Sequence, residues 1–288
     1  MCIRDRDKNG KKQVVDGRQR ISAILDFLEG KFKLNNLRIL KQFNGCCFAD
    51  LDLKQQGVIE DFQLLFYIIQ PPTPERVKYD IFDRVNRGGT PLNKQEMRNA
   101  LYRGRCTRML DKLCCSPEFL IATGRSINKE RMKDQYVVLR AIAFLMLHRG
   151  EFKDIPALQY RGDIDDFLAR FMVYVNDNAP EKLIVDYENL FIRCMQISYD
   201  LLGENGFRFS GNGIRRPINM PLFEALSYLF SFVPEKIDYT WASRLILDIE
   251  SVKEEFDDSR YFSGNIDSTT SVSFRFDRMD KIINRIQL

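Results

Sequence analysis

The residues best suited to chemistry lie close together near the start of the chain. They surround one glycine and follow a hydrophobic stretch, in the order Asp16, Gly17, Arg18, Gln19 and Arg20. Guanidinium groups bind phosphate oxygens through paired hydrogen bonds, and a carboxylate can hold Mg²⁺ or accept a proton. Glycine lets the backbone approach a ligand closely. These residue types together indicate an anion site.

The elements around this run should place it at the start of a helix. Residues 12–15 predict a short strand, Gly17 a tight turn, and the residues after it an amphipathic helix with apolar positions Ile21, Ile24, Leu25 and Leu28. The first turn of a helix disfavours cations by roughly 0.3–1 kcal/mol each, yet it carries Arg18 and Arg20. A bound anion would reverse that cost. The alternative is a capped helix with two solvated arginines.

A second polar run lies further along the chain. Residues 81–99 have the sequence IFDRVNRGGTPLNKQEMRN. A helix over 75–86 should end at the double glycine, and Asn93 with Glu96 should form a capping box for the next helix. Arg84 and Asn86 lie at the predicted helix end, where a ligand contact is favourable. Asn86 could equally cap the turn.

Both runs resemble the two signatures of one family. Asp-Gly-Arg-Gln-Arg is similar to the Asp-Gly-Gln-Gln-Arg signature of the N-terminal domain of GmrSD-type modification-dependent restriction systems, and residues 81–99 are similar to the second signature. That family resembles the ParB and sulfiredoxin fold, in which the equivalent turn binds nucleotide phosphates. Family members carry an upstream segment that is missing here. We therefore expect a truncated N-terminus and leave residues 1–7 out of the fold prediction.

The resemblance implies roles for individual residues. Nucleotide binding falls to Gly17, Arg18, Arg84 and Asn86. Catalytic roles fall to Asp16, Gln19 and Arg20, with Gln19 positioning water and Asp16 holding a metal ion or acting as base. The implied cofactor is a nucleoside triphosphate with Mg²⁺.

The predicted fold class is α+β. Residues 8–104 should form a partial ParB/sulfiredoxin-like nucleotide-binding domain, a small mixed sheet with helices in which residues 62–69 are a central strand. Residues 105–288 should form a helical domain. Helical spacing recurs there in segments 105–115, 131–148, 163–178, 180–202, 220–233, 239–256 and 273–288.

Three arginines of the helical part are candidates for DNA contact. Arg215 and Arg216 follow a glycine-rich turn at 210–213, and Arg275 lies on the last predicted helix. Such a turn can face a phosphate with backbone N–H groups and guanidinium groups. An ordinary surface loop is the alternative. A net charge of +4 permits contact with DNA without requiring it.

Two function classes are excluded by what the sequence lacks. The chain has one histidine, His148, whereas an HNH-type nuclease needs histidines as general base and as metal ligand. We expect His148 to interact with the dipole at a helix end. The Gly-x-x-x-x-Gly-Lys-[Ser/Thr] motif does not occur, which excludes a P-loop nucleotide site. The longest apolar run, 141–147, is too short to span a membrane, so a cytoplasmic protein is expected.

The resemblance implies a nucleotide-binding, NTP-hydrolysing component of a GmrSD-like restriction or anti-phage defence system. DNA and a separate nuclease domain or protein are the implied partners. The alternative is a non-catalytic module that senses nucleotide or DNA and gates the nuclease. A carboxylate-dependent nuclease ranks lower because the sequence offers no acidic cluster for two metals. A structural remnant without activity is the fourth interpretation, and the oligomeric state stays open.

Overall fold

A computed structural model of the chain describes residues 2–6, 12–14, 17–69, 77, 81, 84, 92–210, 215–234, 238–259 and 261–286. The chain divides into two compact units, Met1–Leu92 and Asn93–Leu288. The sequence placed this boundary at residues 104 and 105. In the structure the helix Lys94–Leu101 belongs to the second unit, where Arg98 bonds to Asp165.

Among its described residues, the first unit contains a three-stranded sheet and the complete helices given below. The strands are β1 (Cys2–Arg6), β2 (Lys12–Val14) and β3 (Tyr67–Ile69), in the order β2-β1-β3. β1 runs antiparallel to β2 and parallel to β3. The helices are α1 (Arg18–Leu28) and α2 (Leu53–Glu60). The central strand thus comes from the stretch that the sequence-based fold prediction left out.

The predicted fold class is wrong. The described chain is mainly helical, and its described strands are the short β1, β2 and β3, which do not make up the predicted ParB/sulfiredoxin-like sheet with a central strand over 62–69. The segment 62–69, expected to be a central strand, forms a strand only over Tyr67–Ile69. Phe62 and Leu65 are 71% and 70% exposed. Aromatic and β-branched residues favour strands mainly by packing on a half-buried surface, and that burial is missing here.

Helix α1 starts where the sequence predicted it but buries a different residue. Its predicted apolar face is partly open, since Ile24 and Leu25 are exposed. The buried contact is made by Phe27, whose ring lies 5.5 Å from that of Phe32 and 6.0 Å from that of Phe48. A single aromatic cluster therefore anchors this helix.

The second unit is built from helices. They are α3 (Lys94–Leu101), α4 (Arg105–Cys114), α5 (Pro117–Ala122), α6 (Lys133–His148), α7 (Ile164–Asp177), α8 (Glu181–Leu202), α9 (Met220–Phe230), α10 (Tyr239–Asp257) and α11 (Thr269–Ile286). Helices α6 and α9 pack against each other, and α9 also packs against α11. In α9 every residue from Pro221 to Phe230 is buried. No helix in the described part of the chain is both long and apolar enough to cross a membrane.

A network of buried charges joins three of these helices. Glu224 of α9 accepts hydrogen bonds from Arg140 of α6 and, at 2.6 Å, from Arg275 of α11. Arg140 also donates to Asp267 at 2.6 Å. Glu224, Arg140 and Arg275 are at most 1% exposed. Buried charges are tolerated only when they are paired and hydrogen-bonded, so this network fixes how the three helices pack.

His148 does not play the predicted role at its helix end. Its ring stacks on Phe276 with the centroids 3.6 Å apart, and its Nε2 is buried without a hydrogen-bond partner. Burial, together with the smaller effect of the charge of Arg275, lowers the pKa of His148 to about 3. The imidazole is therefore neutral at pH 7. A neutral ring gains little from the helix dipole, and it serves as a packing residue instead.

Candidate functional site

The predicted anion turn is present at the start of α1. Gly17 is the N-cap, with φ 89° and ψ 7°, and its carbonyl accepts a hydrogen bond from the N–H of Ile21 at 2.8 Å. This left-handed conformation is easily reached only by glycine. The first turn contains no acidic residue, and no side chain caps it. The positive helix end is thus left without protein carboxylates in that turn.

The structure describes only some of the other residues predicted for the nucleotide site. Gln19 and Arg20 are exposed on the first turn of α1. Arg84 is helical and exposed. Asp16, Asn86 and the side chain of Arg18 lie outside the described residues. The joining of the two signatures into one nucleotide site, and the metal role of Asp16, therefore stay predictions.

The predicted DNA-contact arginines at 215 and 216 are partly exposed and engaged in ion pairs. Arg215 donates to Glu204 at 2.7 Å. Arg216 pairs with Asp257, and its guanidinium lies 5.4 Å from the centre of the Phe209 ring. DNA would have to compete with these carboxylates. The interpretation of the region as an anion surface is correspondingly weaker.

The third arginine of that prediction, Arg275, is buried inside the second unit. Arg275 is fully buried, donates to Glu224 at 2.6 Å and to the carbonyl oxygen of Ile266 at 2.6 Å. The prediction that Arg275 contacts DNA is wrong. Helical spacing alone does not reveal that an arginine has a buried carboxylate partner on another helix.

The second unit contains a cavity that the sequence did not reveal. Its volume is about 540 Å³. Its lining comes from the start of α3 (residues 93–98), from residues 128–132, and from the first turn of α6 (residues 133–136). We call this space the Arg98 cavity.

The start of α3 is fixed by the predicted capping box. The Oδ1 atom of Asn93 accepts from the N–H groups of Gln95 and Glu96 at 2.8 and 2.9 Å. Glu96 Oε2 in turn accepts from the N–H of Asn93 at 2.6 Å. The capping prediction for Asn93 and Glu96 is confirmed, and this rigid start positions the side chains that follow.

Arg98 is the central side chain of the cavity. It is fully buried; its Nε donates to Gln95 at 3.0 Å and its Nη1 to Asp165 at 2.8 Å. Its Nη2 is buried and has no hydrogen-bond partner among the residues that the structure describes. The guanidinium lies 5.2 Å from the centre of the Tyr136 ring. Arg98 is thus held firmly while one of its donor groups is left unsatisfied.

The charged neighbours of Arg98 remain ionised. Asp165 also accepts a hydrogen bond from Lys94. Burial alone would raise the pKa of Asp165, but the hydrogen bonds from Lys94 and Arg98 outweigh it and hold that pKa below its usual value. The hydrogen bond between Lys94 and Asp165 also raises the pKa of Lys94. Lys94 and Asp165 therefore form an ion pair at neutral pH.

The backbone on the far side of the cavity is unusual. Arg131 and Met132 both have left-handed conformations, with φ 56° and 58°. Asn93 Nδ2 donates to the carbonyl oxygen of Arg131 at 2.7 Å, and Arg131 pairs with Glu96 at 3.0 Å. Two consecutive non-glycine residues in this region carry strain, which the capping residues of α3 hold in place.

The sequence contained part of this site. Arg98 lies within the second signature, two residues after Glu96, the capping partner of Asn93. Its neighbours across the cavity come from residues 128–136, and this proximity arises only from tertiary packing. In the sequence, the position of Arg98 within the second signature is therefore the signal that points to this site.

Comparison with known protein families finds a match for the first part of the chain. Residues 1–103 match the family described as GmrSD restriction endonuclease, N-terminal domain. The resemblance that the two signatures indicated is confirmed for this region. No curated protein matches the chain. No solved structure matches it either.

Proposed function

We propose, from the match of residues 1–103 to the GmrSD N-terminal domain family, that the chain is a nucleotide-binding component of a GmrSD-like restriction or anti-phage defence system. Its site is the turn from Asp16 to Arg20. The observation that carries the proposal is the start of α1, where Gly17 has a left-handed conformation and the first turn holds no acidic residue.

The chemistry of the turn suits a triphosphate. The first N–H groups of a helix lack intrahelical acceptors and point toward a ligand at its N-terminus. Arg18 and Arg20 would bind phosphate oxygens, and Gln19 would position a water for attack. Arg84 and Asn86 would contact the same nucleotide. Mg²⁺, when bound at Asp16, would offset the charge of the phosphates.

The partners follow from the family. A restriction component acts on foreign DNA, in the cytoplasm, and a separate nuclease would perform the cleavage because this chain has one histidine. Hydrolysis of the nucleotide would control that nuclease. Without hydrolysis, the same turn would act as a sensor that gates it.

Nucleotide binding and phosphate release test this proposal directly. Both are measured for ATP, GTP, CTP and UTP with Mg²⁺, on the chain and on its Arg20→Ala variant. Loss of one charge-assisted contact should weaken binding about 10- to 100-fold. The matched control is Arg38→Ala, another exposed arginine of the first unit, which should bind as the parent chain does.

The outcomes separate the interpretations. Binding with phosphate release, both reduced in Arg20→Ala, supports a nucleotide-hydrolysing enzyme. Binding without release supports the sensor. A folded chain that binds none of the four nucleotides contradicts the proposal, as does binding that is equally strong in Arg20→Ala.

A further inference from the structure

We propose that the Arg98 cavity binds a small phosphate monoester, with the guanidinium group of Arg98 receiving the phosphate. The cavity belongs to the second unit; Arg98 and the other α3 residues of its lining fall within the 103 residues that match the family, and the rest of the lining lies beyond them. The proposal does not rest on nucleotide binding by the Gly17 turn.

The unsatisfied donor of Arg98 is the first observation. Its bonds to Gln95 and Asp165 account for Nε and Nη1. A structural ion pair between α3 and α7 explains those two contacts, but it leaves Nη2 buried without an acceptor. A buried donor without a partner is costly, and a phosphate oxygen would remove the cost. Since Arg98 lines the cavity, an acceptor placed there is the simplest partner for Nη2.

The charge of the lining is the second observation. The cavity is lined by the cations Lys94, Arg98, Arg131 and Lys133. Glu130 is the acidic residue in its lining, and two neighbouring carboxylates pair with these cations: Asp165 bonds both Lys94 and Arg98, and Glu96 bonds Arg131. Four cations against these three carboxylates leave one positive charge in excess among the described residues. An anion would therefore be attracted to the cavity.

The lining of the cavity also bears on how a ligand would enter and on how the guanidinium group of Arg98 is held. Because Nη2 is buried, a ligand would reach it only after a side chain of the lining moves, and Lys94 and Lys133 are exposed lining residues with flexible side chains. Their rotation would admit a ligand without movement of the backbone. The ring of Tyr136 lies beside Arg98 and holds the guanidinium plane in place. Such preorganisation reduces the entropic cost of binding.

The size and lining of the cavity favour an ester over a bare ion. A volume of about 540 Å³ is that of a small-molecule site and exceeds what one phosphate fills. Tyr136 and Met132 offer a ring and an apolar surface, and Asn93 and Asn128 contribute amides to the same lining. These groups suit the organic part of a phosphate monoester.

Binding of adenosine 5′-monophosphate and of inorganic phosphate tests the proposal. Calorimetric titrations are made with the full chain carrying Arg20→Ala, so that the Gly17 turn does not contribute. Arg98→Met keeps the aliphatic stem and removes the donors, and it should weaken binding of the monophosphate by about 10-fold or more. Lys133→Gln should weaken it by about 3-fold. The matched control is Lys182→Gln, an exposed lysine in the first turn of α8, which should have no effect.

Several results would overturn the proposal. One is absence of binding at monophosphate concentrations up to about 10 mM. Another is binding that survives unchanged in both Arg98→Met and Lys133→Gln. Thermal unfolding shows whether each variant is folded. If Arg98→Met does not fold, Lys133→Gln compared with Lys182→Gln decides, because both positions are exposed.

Discussion

The two units differ in how much of their apolar surface they bury. In the described part of Met1–Leu92 the buried apolar side chains are Phe27 and Leu51, while Ile39 and Leu53 are 92% and 86% exposed. In Asn93–Leu288, helix α9 is buried along nearly its whole length. Buried apolar area is the main source of stability. The comparison indicates that the second unit is the stable part of the chain and the first the labile part.

The largest expected effect comes from breaking the charge network of the second unit. Glu224→Ala would leave the buried Arg140 and Arg275 without their shared carboxylate. We expect the free energy of unfolding to fall by about 3–5 kcal/mol. Urea unfolding followed by fluorescence measures it, since Trp241, the single tryptophan, lies on α10 in this unit.

A surface pair supplies the control for that experiment. Glu255 pairs with Arg278 at 2.6 Å, and both side chains are partly exposed. Glu255→Ala should lower the free energy of unfolding by less than about 1 kcal/mol. Equal losses in the two variants would show that the buried network does not hold the helices together.

Amide hydrogen exchange tests the comparison without a mutation. The amides of α9 should exchange only when the whole second unit unfolds. Those of α1 should exchange through local unfolding, because this helix is held mainly by the Phe27 cluster. We expect the amides of α9 to be protected at least about 100-fold more strongly, a difference of about 3 kcal/mol. Similar protection in α1 and α9 would contradict the proposed difference between the units.

The pH dependence of stability gives the smallest of these effects. His148 has a pKa of about 3 when folded, below the usual 6.5, because burial disfavours its charged form. Between pH 3 and pH 6.5 the unfolded chain binds a proton at His148 that the folded chain does not bind. The free energy of unfolding therefore has its full value above pH 6.5 and falls as the pH is lowered toward 3. From pH 7 to pH 5 the loss should be about 2 kcal/mol.

His148→Phe provides the reference for that measurement. The variant keeps an aromatic ring against Phe276 and removes the titrating group. Urea unfolding at pH 7 and pH 5, followed at Trp241, should show a smaller loss in the variant. If the free energy of unfolding fell equally in the parent chain and the variant, His148 would have to be protonated in the folded state at pH 5.

The same difference between the units explains what the sequence could predict. In the second unit, helical spacing located each long helix, for example 163–178 for Ile164–Asp177 and 239–256 for Tyr239–Asp257. Local capping signals were also sufficient, as for Asn93 and Glu96. These helices bury the faces that their periodicity marks, so pattern and structure agree.

In the first unit the pattern was misleading. Segment 62–69 has strand-forming residues, but most of it forms no strand and Phe62 is exposed. The central strand β1 comes from a charged, short stretch with no clear alternation. For the candidate sites, the Gly17 turn was predictable because it is local. Arg275 and the Arg98 cavity were not, since both depend on side chains distant in sequence.

The position of β1 in the sequence also determines the order in which the strands of the sheet pair during folding. Its antiparallel partner β2 follows within a few residues, whereas its parallel partner requires Cys2 to meet Tyr67. The entropy lost on closing a loop grows with roughly the logarithm of its length, and local hairpins form within microseconds. The β1–β2 hairpin should therefore form first. On the ribosome, β1 would be paired with β2 alone until the residues of β3 have been synthesised.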